Sequence, residues 1–198
     1  MLVFWKERLV VLATPKTGTT AIETALQPLA ALPVLRPGAL KHTDAARWQR
    51  YIRPFLNEAA GAPFEAVALM RDPIDWLGSW YRFRQRDDIL DMPRATQGLS
   101  FAQFVEDYLS DPAPLHAAVG SQAAFLRGAE GEACGVDRLF RYEEIGNFVA
   151  YLEDALGFAI ELPVINVSPE GDLALPETLE KRLRAALTQD YALYDAIR

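Results

Sequence analysis

Soft metal ligands are scarce. The 198 residues contain one cysteine, Cys134, and two histidines, His42 and His116. That supply excludes an internal disulfide and argues against a structural zinc site, which takes four such ligands. No metal is expected, and a chain without cystine fits a reducing cytoplasm. No run approaches ~18 consecutive apolar residues, about the least a membrane-crossing helix needs. The stretch Met1–Arg8 lacks the basic start and long apolar core of a secretory signal. A lysine-rich tract is missing as well. Residues 1–95 hold 13 Lys+Arg against 10 Asp+Glu, residues 96–198 only 7 against 17, and the net charge is −7. Such an acidic chain is a poor partner for a nucleic-acid backbone, whereas a small anion can be held locally in the basic half. Repeats, low-complexity tracts and linker-like stretches are absent too, so one domain spanning residues 1–198 is expected.

What is present is an alternation of short buried runs and helical segments. Arg8–Thr14 is a continuous apolar, β-branched run that ends at Pro15, and Phe64–Met70 and Val136–Tyr142 are further strand candidates. Between and after them the spacing predicts helices at Ala21–Leu26, Ala45–Glu58, Asp72–Arg86, Ser100–Leu109, Ser121–Arg127, Glu143–Leu156, Pro176–Thr188 and Tyr191–Ile197. Ala30–Leu40 is loop with room for one short strand, and Asp87–Gly98 is a polar surface loop. The alternation predicts an α/β fold with a central parallel sheet covered by helices on both faces. Ligands in such folds sit at the carboxyl ends of the strands.

Two constellations stand at those ends. The first is Pro15-Lys16-Thr17-Gly18-Thr19-Thr20, between a strand and a helix. A tight loop before a helix presents unpaired backbone N–H groups, and the helix dipole adds positive charge. Lys16 supplies a cation, the threonines hydroxyls, and Gly18 a close backbone approach. The pattern is not a Walker A loop, because Lys16 precedes Gly18 and no glycine lies upstream. The same residues also fit an ordinary turn whose Thr19 or Thr20 caps the helix. The second constellation runs from Arg71 to Arg86. Arg71 ends a buried strand, where an arginine has no packing reason to be, and Pro73 opens the next helix. Ser79, Arg82, Phe83 and Arg86 share one helical face, and Trp76, Trp80 and Phe83 form an apolar stripe expected in the core. Arg71 and Ser79 suit a phosphate. The alternative is an ion pair from Arg71 to Asp72 or Asp75.

Taken together, these motifs resemble the sulfotransferases that use 3′-phosphoadenosine-5′-phosphosulfate (PAPS). Pro15–Thr20 is similar to their 5′-phosphosulfate loop, and Arg71 with Ser79 eight residues later to their 3′-phosphate element. Arg141-Tyr-Glu-Glu144, Asn166-Val-Ser168 and Asp190-Tyr191 resemble segments of bacterial members related to the carbohydrate sulfotransferases. The resemblance implies a P-loop-like three-layer α/β/α domain. It implies a sulfuryl transfer from PAPS to a hydroxyl or amine of a small-molecule or saccharide acceptor, with 3′-phosphoadenosine-5′-phosphate (PAP) as product and no metal required. Lys16 would neutralise charge on the leaving phosphate, the amides of Thr17–Thr20 would hold the 5′-phosphate, and Arg71 and Ser79 the 3′-phosphate. His42, in a loop just before a helix, is the expected general base, with His116 the weaker choice. Phe83, Tyr81 and Trp48 are candidate acceptor contacts. The RKGxxGDWK-like element of the cytosolic aryl and steroid enzymes is absent. Two other readings remain open: a P-loop-type kinase, and a PAP-binding module without catalysis.

Overall fold

The computed structural model describes residues 1–86, 93–165 and 171–198. The loop expected at 87–98 therefore lies partly outside the described residues, and the Asn166–Ser168 segment wholly outside them. Strands β1 (Leu2–Phe4) and β2 (Leu9–Val11) form a hairpin, and β3 (Leu32–Pro33) extends it at the edge. β4 (Glu65–Met70) and β5 (Arg138–Arg141) complete a five-stranded sheet in the order β3-β1-β2-β4-β5. The wholly parallel sheet is corrected to a mixed one. β2·β4 and β4·β5 are parallel, with Val10 opposite Ala66 and Ala68 opposite Leu139, whereas β1 runs antiparallel to both neighbours. The reason is connection length. Four residues between Phe4 and Leu9 permit only a hairpin, while parallel pairing needs a long crossover.

The crossovers are helical. After β2 comes α1 (Thr19–Leu26), followed by α2 (Gly38–Lys41), α3 (Ala45–Arg47) and α4 (Arg53–Ala60). The single helix expected over Ala45–Glu58 is interrupted by a π turn at Trp48–Ile52, just ahead of Pro54. Proline has no N–H for the preceding turn, and a widened turn absorbs the loss. After β4 come α5 (Pro73–Phe83), α6 (Phe101–Tyr108) and α7 (Gln122–Leu126). β5 is followed by α8 (Ile145–Leu156), α9 (Glu177–Ala186) and α10 (Thr188–Asp195).

Side chains alternate across the strands, so each face collects its own core. Val10, Leu12, Ala66, Ala68 and Met70 pack with Trp48, Leu56 and Leu126. Leu9, Val11, Val67 and Leu69 pack with Ile22 and Leu26 of α1 and Phe148 and Leu152 of α8. A third cluster joins Trp76, Leu77 and Tyr81 of α5 to Phe101, Phe104 and Val105 of α6 and to Leu179 and Leu183 of α9. Burying each such large side chain contributes roughly 1.5–3 kcal/mol. The parallel strands β2 and β4 thus end side by side, and the loops that leave them meet. Among the described residues, no helix is long and apolar enough to cross a membrane.

Candidate anion-binding cleft

Gly18 sets the geometry of the first loop. It is the N-cap of α1 at φ 72°, in the left-handed region, and no side chain caps the helix. The expectation that Thr19 or Thr20 caps is therefore corrected: both lie inside the first turn. The first amide taken by the helix is that of Ala21, donated to the Gly18 carbonyl at 3.0 Å. The Thr19 and Thr20 amides precede it and have no protein acceptor among the described residues. They are left for a ligand, with the helix dipole behind them. A Cβ at Gly18 would stand 3.0 Å from the ring of Tyr142, so conformation and space both require glycine here. Thr17 behaves differently from its neighbours. It is fully buried and donates its hydroxyl to Thr14 O at 2.9 Å, so its side chain ties down the loop and does not face a ligand.

Lys16 has φ 66°, an unusual conformation for a residue with a Cβ. Its Nζ lies 3.9 Å from the centre of the Phe83 ring and 5.6 Å from that of Trp80. The apolar stripe expected in the core is thus split: Trp76 is buried, whereas Trp80 and Phe83 line a cleft and carry the lysine. Burial first, then Arg71, Arg86, Arg82 and Arg84, bring the Lys16 pKa down to about 8. Among the described residues, no carboxylate lies within ion-pair distance of it. A desolvated cation held among other cations is an arrangement that an anion would relieve.

The second loop is locked to the first. Asp72 caps α5, accepting from the Ile74 and Asp75 amides at 3.0 Å each. Trp76 Nε1 donates to Pro15 O at 2.9 Å, and Arg71 Nη1 to Lys16 O at 3.5 Å. The Arg71 guanidinium lies over Tyr142, 4.7 Å from the ring centre. Its backbone is clamped by the buried Gln122, which accepts from the Arg71 amide at 2.9 Å and donates to its carbonyl at 2.8 Å. The ion-pair alternative for Arg71 is realised too, since its Nε donates to Asp75 Oδ2 at 2.5 Å. Asp75 also meets Arg82 at 3.5 Å. Ser79 is buried, yet its hydroxyl makes no hydrogen bond among the described residues.

All these groups border one cleft of about 980 Å³, lined by Lys16, Gly18, Thr19, Thr20, Lys41, His42, Arg71, Ser79, Trp80, Arg82 and Phe83. Tyr142, Ile145 and Leu162–Ile165 form another part of its wall. Of the residues assigned to the donor and to the main base, Lys16, Gly18, Thr19, Thr20, His42, Arg71 and Ser79 reach it and Thr17 does not. His42 Nδ1 lies 2.7 Å from Ala13 O, which can only accept, so Nδ1 carries the hydrogen and Nε2 the lone pair. Burial, as the largest influence, lowers the His42 pKa from its ordinary value, which favours the neutral ring. His116 is elsewhere, paired with Asp107 at 2.6 Å. Tyr81 and Trp48 drop out as acceptor contacts, because both are buried and the Tyr81 hydroxyl donates to Leu99 O. Arg84 is also structural, donating to the Leu115 and His116 carbonyls.

Sequence reasoning missed Tyr142 as a contact of both loops, Gln122 as a clamp, and the pairing of Lys41 with Glu23 at 2.6 Å. Each joins residues at least 18 positions apart, and no local spacing announces it. No metal-holding group of three or more His, Cys, Asp or Glu side chains occurs among the described residues. No family model matches the chain, and no curated protein or solved structure matches it.

Proposed function

We propose that the chain is a sulfotransferase of three-layer, P-loop-like α/β/α build that takes PAPS as donor and a hydroxyl- or amine-bearing small molecule or saccharide as acceptor. The observation that carries this reading is the shared cleft: Lys16, the free amides of α1, Arg71 and the unpartnered Ser79 hydroxyl all border it, and His42 lies on the same wall with Nδ1 held by Ala13 O. A nucleotide with two phosphate groups suits a cleft that gathers a lysine, an arginine, free amides and a hydroxyl from two adjoining loops. In the transfer, an acceptor oxygen or nitrogen forms a bond to sulfur while the bond from sulfur to the bridging oxygen of the 5′-phosphate breaks. The acceptor proton passes to His42 Nε2 and then to solvent. PAP leaves with the electron pair of the broken bond, and Lys16 and the α1 amides stabilise the charge that gathers there. The protein supplies these charges from its own side chains, and the reading needs no metal.

Calorimetric titration with PAP at low salt tests the reading. Binding that Arg71→Ala weakens supports it; absence of binding by the wild type removes it. Binding without transfer to any of a panel of phenols, alcohols, amines and sugars would reduce the protein to a nucleotide-binding module.

A further inference from the structure

A base that starts neutral and ends charged depends on the charges around it, and His42 has an unusual neighbour. Glu23 points inward from α1 and is 8% exposed. Its Oε2 accepts from Lys41 Nζ at 2.6 Å, while its Oε1 is buried with no hydrogen-bond partner among the described residues. A half-satisfied buried carboxylate is costly if its only task is to hold the fold. Lys41 precedes His42 in sequence and lines the same cleft. An uncompensated ammonium in that place would oppose a positive imidazole. The groups facing His42 are Lys41 from α2, Glu23 from α1, the Ala13 carbonyl after β2, and the Met1 amino group, which donates to the Val34 and Lys41 carbonyls at 3.1 Å each.

We propose that Glu23 is a positioning residue: it pins Lys41 at the cleft wall and offsets its charge, so that His42 Nε2 can carry the acceptor proton. The inference rests on the reading of His42 as the base. Glu23 itself gains no proton in the step. Its carboxylate acts on the imidazolium through space, while Ala13 O holds the ring at Nδ1. Lys41 keeps its remaining N–H donors for the cleft.

The test is an NMR titration of the two histidines in the full chain, with His42 identified by its loss in His42→Asn. Glu23→Gln is expected to lower the His42 pKa, because the charge opposing Lys41 is gone. In an active preparation, kcat should fall by about tenfold, part of what a general base contributes, and its acid limb should move to lower pH with PAP affinity unchanged. Glu23→Asp should restore most of kcat. Lys41→Ala should raise the His42 pKa, and this variant serves if Glu23→Gln does not fold. A His42 pKa that moves in neither variant overturns the proposal. If the titration behaves as expected but the wild type binds no PAP, the charge coupling stands and the catalytic role falls with the reading beneath it.

Discussion

Lys16 illustrates how one side chain can serve a site against the interest of the fold. Its pKa of about 8 lies below the ordinary lysine value of 10.5, because burial and Arg71 penalise the charged form. Between those two values the unfolded chain binds more protons than the folded one, so stability of the empty protein rises with pH across that window and is held back below it. Lys16→Met keeps the contacts with Phe83 and Trp80 and removes the charge. The expected result at pH 7 is a Tm higher by roughly 2–4 °C, which is what about 1 kcal/mol amounts to at this chain length, together with weaker PAP binding. Scanning calorimetry and titration of the same sample check both, and a lower Tm would make Lys16 a structural residue. Lys16, Gly18, Arg71 and Ser79 were legible in the sequence because each stands at a fixed offset from a strand end or a helix start. Tyr142 was not, since what matters is its ring face, brought 71 positions along the chain to Arg71 by β5.

At the scale of elements, the site depends on two βα loops being held in register. Parallel pairing of β2 with β4 brings the loops side by side, and the Trp76 indole then ties α5 to Pro15. Trp76→Phe keeps an aromatic ring in the third core cluster but leaves the Pro15 carbonyl without its donor. A net stability loss of about 1–3 kcal/mol is expected, from the lost bond and the smaller ring. PAP affinity should fall as well, although Trp76 is buried beneath the cleft. Chemical denaturation and titration measure the two effects, and an unchanged affinity would show that the loops hold their register without this bond. Most helix positions and the three parallel-paired strands could be read from apolar runs and cap residues, whereas α2 falls largely in the stretch read as loop. β1 escaped notice because three residues, Leu2–Phe4, carry too short a pattern to distinguish strand from terminus. The short strand allowed for within Ala30–Leu40 is β3, two exposed residues at the sheet edge.

For the whole molecule, the distribution of charge matters more than its sum. The net charge is −7, yet the cleft gathers Lys16, Lys41, Arg71 and Arg82 along its wall. Long-range attraction of an anion to such a protein is weak, and at physiological ionic strength it is screened beyond about 8 Å. On the proposed reading, recognition of the nucleotide rests on short-range contacts inside the cleft. The arginines packed around Lys16 have a consequence for the heat of binding. Near pH 8 part of the Lys16 population has already lost its proton in the empty protein. An arriving phosphate favours the protonated form, so the complex must draw hydrogen ions from the buffer. Titrations with PAP at pH 8 in two non-phosphate buffers of different ionisation enthalpy, HEPES and Tris, should then give different apparent enthalpies, the difference counting the ions taken up.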